Sequence, residues 1–253
     1  MEEKYFNWQE AFGLAELDGL EPSLTLQSLA ESNIIGQITF KEAEKLLLEY
    51  YHNEENNPQY IQDTVMLRIA IILSTQEFQL SKEYFRAIHK YLFAKTSFNP
   101  GEYRTINVTK KEPILNGYSV IYSPASMIDE NLSYDFAEAR KKRIITNNPE
   151  QAIQQIMPFI SNIWQSHPFK DGNTRTTSVF LEQYLKKLGF QTNNSIFKEN
   201  STYFRNALVR NNYETSRTLE PTSEFLYKFF YKVLIDPTVI LDPEEQKVSI
   251  TRK

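Results

Sequence analysis

The chain contains no cysteine and only seven glycines among its 253 residues. The lack of cysteine excludes a disulfide framework and thiolate-bound metals, and it fits a reducing compartment, so a cytoplasmic location is the default expectation. Glycine is scarce, and long segments carry apolar residues three and four positions apart. Together these features predict a mainly helical chain.

A surplus of positive charge is also missing, since 28 basic residues stand against 32 acidic ones and give a net charge of -4. Proteins that grip a nucleic-acid backbone are usually basic, so nucleic acid is not an expected partner. The longest apolar stretch, 65–73, is far shorter than the roughly 20 residues that span a bilayer. The first residues, MEEKYFNWQEAFG, lack the basic-then-apolar pattern of a secretory signal. No membrane association is therefore expected.

Several helix starts are marked by capping residues. Thr39 and Glu42 form a capping-box pattern, and Asn148 precedes Pro149 at the first position of another helix. That helix should end before Pro168, and the next apolar period should end at Gly189. The two helices leave a short loop, 167–173, between them.

The only strand signal lies in residues 105–123, where apolar segments flank Asn116 and Gly117. Because this dipeptide favours a tight turn, it predicts a small β-hairpin in an otherwise all-α domain. The polar stretch 52–58 suggests a boundary. We therefore divide the chain into an N-terminal helical region (1–58), a main domain (59–236) and a charged tail (237–253).

The loop after the first of the two helices has the composition of a phosphate site. Gly172 permits a close backbone approach, and the N-terminus of the following helix presents free N–H groups to an anion. Asn173 and Arg175 add side-chain donors, and Asp171 can hold a magnesium ion or can simply cap the helix. His167 lies where a proton acceptor is needed.

At these residues the chain resembles the Fic family, whose signature is His-x-Phe-x-Asp/Glu-Gly-Asn-Gly-Arg-x-x-Arg. The residues 100–104 and 203–208 also look like Fic segments, and the likeness covers about 60–235. Six signature positions are present: His167, Phe169, Asp171, Gly172, Asn173 and Arg175.

This resemblance implies an all-α Fic-fold helical bundle that works as a protein adenylyltransferase. His167 would deprotonate a hydroxyl of a target protein (Tyr, Thr or Ser), which would attack the α-phosphorus of ATP, while Asp171 would hold Mg²⁺. Phe169 would anchor the loop. The nucleotide would be bound by Phe169, Gly172, Asn173, Thr174, Arg175, Tyr203, Phe204 and Asn211, with an aromatic residue stacked on adenine.

The resemblance also implies that the hairpin is a flap that pairs with an extended target segment. Its residues would be Ile114, Leu115, Asn116, Gly117, Tyr118, Ser119 and Val120. A regulatory, antitoxin-like protein is a further partner that the family allows.

Two signature positions differ in this chain, because Thr174 replaces the second glycine and Ser178 replaces the final arginine. In the family that arginine binds the terminal phosphate of ATP or pairs with an inhibitory glutamate. The nearest inhibitory segment, 31–36, has isoleucine at the glutamate position, so we predict that this ion-pair inhibition is absent. A second loose match, 216–220, is discounted because Pro221 follows it.

Other interpretations stay open at this point. The chain is either a transferase using ATP, a transferase using another phosphate-containing donor such as CDP-choline, or a degenerate module that binds a nucleotide or a protein without catalysis. Tyr203 and Phe204 fit the core equally well. His89 is interpreted as a packed core histidine, and Arg104 as the partner of a structural salt bridge.

Overall fold

The computed structural model describes residues 1–16, 19–52, 56–95, 99–191, 196–213 and 221–248. Within these ranges the chain forms ten α-helices and three 3₁₀ turns, which cover 113–115, 125–127 and 243–246. None of the residues in them forms a strand. The helices are α1 (Glu2–Glu16), α2 (Leu24–Ile34), α3 (Phe40–Tyr50), α4 (Pro58–Leu73), α5 (Lys82–Leu92), α6 (Ile128–Lys141), α7 (Pro149–Ser166), α8 (Asn173–Lys187), α9 (Ile196–Asn211) and α10 (Glu224–Leu234).

The predicted helix starts are confirmed at both positions. The Thr39 side chain accepts the backbone N–H of Glu42, and the Glu42 carboxylate accepts the N–H of Thr39 in return. Asn148 caps α7 with Pro149 at its first position. Local sequence therefore determines where these helices begin, as capping chemistry requires.

Helix α7 lies at the centre of the bundle, in contact with α6, α8, α9 and α10. Its apolar stripe is fully buried at Ile153, Ile156, Ile160 and Ile163, as the 3.6-residue period predicts. Helix α8 follows after six residues. The loop between them is thereby held at one end of the bundle by two buried helices.

Helix α1 packs against α4 and α9, and Trp8 and Leu14 on α1 are fully buried in the core that also contains α7 and α8. Gly13 permits this packing, because a Cβ there would lie 2.3 Å from the Lys198 Cα atom at the start of α9. The division at residue 58 stays a prediction, and helices on both sides of it share one core.

The predicted β-hairpin is wrong for the described residues 105–123. Asn116 and Gly117 do make a tight turn with positive φ values of 52° and 88°, and the Tyr118 N–H bonds the Leu115 carbonyl. The strands fail because Pro113 has no N–H to donate and starts a 3₁₀ turn instead. In addition, Ile114 and Leu115 are both buried, whereas consecutive residues of a strand point to opposite faces.

The segment after α10 is packed against the fold as far as residue 248. Gln246 is fully buried, its amide donates to the Tyr203 carbonyl, and the Val248 N–H donates to the Ile114 carbonyl at 2.9 Å. This part of the predicted tail therefore contacts α9 and the 113–115 turn. None of the described helices combines the length and the apolar character needed to cross a lipid bilayer.

Candidate active site

A cleft opens where α7 ends and α8 begins, and it spans about 440 Å³ of space not filled by protein atoms, part of which is open solvent. Segment 105–123 and helix α9 complete its wall. Three side chains in the wall are basic and one is acidic, which suits an anionic ligand. The lining residues are Lys110, Tyr122, Trp164, His167, Asp171, Gly172, Asn173, Thr174, Arg175 and Arg205.

His167 lies at the C-terminal end of α7 in a left-handed conformation, with φ 44° and ψ 55°. Its N–H closes the last helical turn on the Trp164 carbonyl at 3.0 Å. The side chain is only 3% exposed, and its ring lies 4.1 Å from the Tyr122 ring. Neither ring nitrogen has a hydrogen-bond partner among the described residues. An imidazole with two unpartnered nitrogens at a cleft is ready to accept a proton.

The surroundings of His167 hold it in the neutral form. Burial above all, together with the nearby charges of Lys110, Arg104 and Arg205, lowers the pKa of His167 to about 2. Both causes disfavour a positive charge on the ring. A bound polyanion would oppose them, because its negative charge favours the protonated imidazole.

Arg104 holds the end of α7 in place. Its guanidinium donates to the carbonyls of His167 (2.7 Å), Ile106 (2.8 Å) and Ser123 (2.5 Å), and more weakly to that of Ser166 (3.3 Å). Its backbone N–H donates to the Pro168 carbonyl. Backbone carbonyls therefore take the place of the predicted salt-bridge partner, and those of Ser166 and His167 lie at the C-terminus of α7, where carbonyls need donors.

The loop closes through the side chain of Asn173. Its amide oxygen accepts the Phe169 N–H at 3.0 Å, and its amide nitrogen donates to the Phe169 carbonyl at 2.8 Å. Sequence reasoning expects this amide to contact a phosphate. In the structure this amide shapes the loop while Asn173 also lines the cleft, so the predicted phosphate contact stays a prediction.

Phe169 anchors the loop, as the sequence predicts. Its ring is fully buried and stacks on the imidazole of His89. His89 Nδ1 accepts the Gly101 N–H at 2.8 Å, so its Nε2 carries the proton and donates to the Asp171 carbonyl at 3.1 Å. His89 is thus more than a packed core residue, because it ties α5 to the loop that carries the cleft residues.

Gly172 occupies the N-cap of α8 with φ 71° and ψ 9°. A Cβ at this position would lie 2.3 Å from the Phe93 ring, so both the conformation and the space require glycine. The Asp171 carboxylate accepts the Gly172 N–H at 2.7 Å and lines the cleft. The prediction that a helix begins at this glycine is therefore confirmed.

The described residues contain no group of three or more His, Asp or Glu that could hold a metal alone. Mg²⁺ is commonly held by one or two carboxylates together with substrate phosphates. Asp171 supplies one carboxylate at the cleft. The donor set therefore fits a magnesium ion that binds together with a nucleotide.

The remaining signature positions divide between the cleft and the core. The Arg175 guanidinium lies 4.7 Å from the centre of the Phe93 ring and lines the cleft. Thr174 accepts the Trp164 indole N–H at 3.0 Å, so it links α8 to α7. Ser178 is fully buried, and its hydroxyl has no partner among the described residues.

Three predicted nucleotide contacts lie elsewhere in the structure. Tyr203 and Phe204 are fully buried in the core, where the Phe204 ring lies 4.5 Å from that of Phe229. The Asn211 amide donates to the Ser161 hydroxyl at 2.7 Å and links α9 to α7. None of the three lines the cleft. The helical period of α9 turns Tyr203 and Phe204 inward, which is the core interpretation that the sequence left open for these two, whereas Asn211 is half-buried.

The seven flap residues also separate into two groups. Ile114, Leu115 and Val120 are buried, whereas Asn116, Gly117 and Tyr118 are exposed and Ser119 is half-buried. The Ser119 hydroxyl accepts the Lys110 N–H at 3.1 Å, where a strand ladder would have used a carbonyl. The segment is therefore a turn with three exposed residues at its tip.

Sequence reasoning missed four residues of the cleft, namely Lys110, Tyr122, Trp164 and Arg205. Trp164 lies one turn before His167, so its helical spacing was a usable signal. Lys110 and Tyr122 flank the turn residues, and Arg205 lies beside the aromatic pair of α9. Only the tertiary fold brings these three to the loop.

Segment 31–36, the nearest likeness to the inhibitory sequence, is tied to helix α1. The Asn33 side chain accepts the Trp8 indole N–H at 3.1 Å and donates to the Ile38 carbonyl. Helix α2 packs against α1 and α3, and no residue of 31–36 lines the cleft. The second loose match includes residues 216–220, which lie outside the described residues.

Comparison with known proteins agrees with this geometry. Residues 79–185 match the model of the Fic/DOC family. A similar solved structure is the N-terminal FIC domain of the Bep8 protein, a VirB-translocated Bartonella effector protein from Bartonella sp. 1-1C, with 16% identity and a TM-score of 0.51. The alignment covers 81% of this chain and 90% of that chain. At this identity the likeness shows the fold. No curated protein matches the chain.

Proposed function

We propose that the protein transfers AMP from ATP to a hydroxyl side chain of a target protein, since residues 79–185 match the model of the Fic/DOC family. The observation that carries this proposal is the buried, neutral His167 with both ring nitrogens unpartnered, in a cleft with three basic side chains. A base and an anion site in one volume are what this transfer needs.

His167 accepts the proton of the target hydroxyl at one of its ring nitrogens. The hydroxyl oxygen forms a bond to the α-phosphorus while the bond from that phosphorus to the pyrophosphate oxygen breaks. The proton stays on the imidazole, where the phosphate charge offsets the burial that otherwise disfavours it. Arg104 keeps the ring in place by holding the His167 carbonyl.

The start of α8 and Arg175 hold the phosphates. Gly172 offers no side-chain acceptor to the first N–H groups of α8, which carry the positive end of the helix dipole. Arg175 adds a charged donor. Asp171 would hold a magnesium ion, which neutralises charge on the phosphate oxygens when it is bound.

The target enters over the exposed turn of segment 105–123. Tyr118 is 57% exposed and Ile121 is 57% exposed, while Tyr122 of the same segment contacts His167. A target peptide lying on this turn would bring its hydroxyl beside the imidazole. The acceptor is a Tyr, Thr or Ser side chain.

The experiment that tests this function uses α-³²P-ATP and Mg²⁺ in a cell lysate, with wild-type protein and His167→Asn. His52→Asn is a matched control, because His52 is exposed and has a similar left-handed backbone, which asparagine tolerates. We expect labelled protein bands with the wild type and the control but not with His167→Asn. Label that does not depend on His167 would contradict the proposal.

A second candidate is a module that binds a nucleotide without transfer, and the buried Ser178 in place of the final signature arginine favours it. Calorimetry distinguishes the two, since this candidate predicts ATP binding with no labelled product. Transfer from another donor, such as CDP-choline, is a third outcome. A panel of labelled donors, tested with the wild type and His167→Asn, distinguishes transfer from another donor from binding without transfer.

A further inference from the structure

A nucleotide bound in the proposed site would carry several negative charges on its phosphates, and a second strong cation would stabilise it. The side chain that the signature places there is Ser178, which carries no charge and is buried without lining the cleft. Among the described residues, Arg175 is then the one arginine that the signature brings to the cleft, and Lys110 is the other cation besides Arg205. A second arginine at the cleft would supply the missing charge.

Arg205, which no signature position includes, reaches the cleft from α9. Its Nη2 atom lies 2.8 Å from Oε2 of Glu112, and its side chain is 29% exposed, whereas that of Glu112 is fully buried. The other carboxylate oxygen of Glu112 accepts the Tyr122 hydroxyl at 3.4 Å. A buried carboxylate thus fixes an arginine that also lines the cleft.

Arg205 lies where an anion could contact α8, α9 and segment 105–123 at the same time. Tyr122 contacts His167 on one side and Glu112 on the other, so the ion pair lies next to the proposed base. Lys110 and Arg175 line the same cleft from two other segments. A guanidinium held by a buried partner loses little side-chain entropy when it binds a phosphate.

We infer that Arg205 binds a phosphate oxygen of the nucleotide and supplies the charge that Ser178 lacks. Glu112 is a positioning residue, which acts through Arg205. The ligand class is a nucleoside polyphosphate. The inference rests on the proposed function, because it assigns a further residue to the same nucleotide site.

The test compares ion pairs of equal net charge. Glu112→Gln with Arg205→Gln replaces the pair by two amides and leaves the net charge unchanged. The matched control is Lys228→Gln with Glu245→Gln, which removes an ion pair of the same 2.8 Å length that lies outside the cleft. The probe is α,β-methylene-ATP with Mg²⁺, which cannot release AMP, and the readout is its dissociation constant by calorimetry.

We expect affinity in the cleft double variant to fall by about 10- to 100-fold, the usual effect of losing a charge-assisted contact. The control should bind like the wild type. Arg205→Lys should lose about 3- to 10-fold, since it keeps the charge and loses the planar fork. If thermal melts show that the double variant is unfolded, the affinity of Arg205→Lys tests the inference instead.

Binding by the folded double variant within about threefold of wild type would overturn the role of Arg205 and leave the proposed transfer intact. Equal losses in the control pair would overturn it too, because the effect would then not come from the cleft. If the wild-type chain bound no nucleotide at all, the inference and the proposed function would both be wrong.

Discussion

The imidazole of His89 lies flat against the phenyl ring of Phe169, with ring centres 3.7 Å apart and planes inclined by 11°. His89 belongs to α5 and Phe169 to the loop between α7 and α8. The same imidazole bonds Gly101 and Asp171 through its two nitrogens. One buried side chain therefore joins three segments by stacking and by hydrogen bonds.

His89→Phe separates these two contributions, because it keeps a flat ring against Phe169 and removes both hydrogen bonds. The Asp171 carbonyl and the Gly101 N–H would lose a partner, which costs about 2–4 kcal/mol in unfolding free energy. Urea denaturation measures this loss. Phe169→Leu, which removes the stacking and keeps the bonds, is the companion variant, and an unchanged midpoint for His89→Phe would show that the bonds are dispensable.

The protonation of the buried histidines gives a prediction about pH. Burial lowers the pKa of His167 to about 2 and that of His89 to about 4. Both rings should stay neutral from pH 8 to 5, when an ordinary histidine takes up a proton near pH 6.5. Because NMR must resolve only three histidines, ring chemical shifts followed through this range check it directly, and a midpoint near 6.5 for His167 would contradict it.

The free energy of unfolding should depend on the protonation of His167 and His89. Below pH 6.5 the unfolded chain binds protons on these two residues while the folded chain does not, so the free energy of unfolding falls as pH falls. The slope is about 1 kcal/mol per pH unit for each histidine, until the pH nears 4 for His89. Denaturation series at pH 7, 6 and 5 for wild type and His167→Asn measure it. The variant should show the shallower slope.

Gly172→Ala should disrupt the loop, because the new methyl group meets the Phe93 ring and the backbone is left-handed. We expect a loss of about 2–4 kcal/mol and of most nucleotide binding. Gly189→Ala is the control, since its φ of 88° is also positive but nothing lies within 4 Å of the added Cβ. It should lose only about 1 kcal/mol. Equal effects at both sites would show that contact with Phe93 is unimportant.

Ser178→Ala should be neutral or slightly stabilising, by up to about 1 kcal/mol, because it removes a buried hydroxyl that lacks a partner and alanine favours helices. Nucleotide affinity should not change, since Ser178 does not line the cleft. Thermal melts and calorimetry on the one variant give both values. A weaker affinity would place the Ser178 hydroxyl at the nucleotide.

The parts of the fold that depend on neighbours in the sequence could be predicted from it. Thr39, Asn148 and Gly172 act through residues within a few positions, so both caps and the turn before α8 were read correctly. The all-α class of the described residues and the match of residues 79–185 to the Fic/DOC model agree with what those local patterns predict. The structure places His167 and Arg175 at the cleft and Phe169 in the core, and the roles that the resemblance implies for them stay predictions.

The parts that depend on distant contacts could not be predicted. The turn at Asn116 formed as expected, but its strands did not, because Ile114 and Leu115 both find places in the core. In α9, burial rather than residue type decided that Tyr203 faces inward and Arg205 faces the cleft. A single sequence records which side chains are able to bind a nucleotide, and packing decides which of them reach it.

Helix α1 completes its packing against a partner that is synthesised much later. Ile196, at the start of α9, follows Glu16 by 180 positions. At the usual rates of translation, α1 leaves the ribosome on the order of ten seconds or more before α9 exists. During that interval Trp8 and Leu14 have no α9 to cover them. The nascent chain should therefore engage chaperones that bind exposed apolar segments until its last third has emerged.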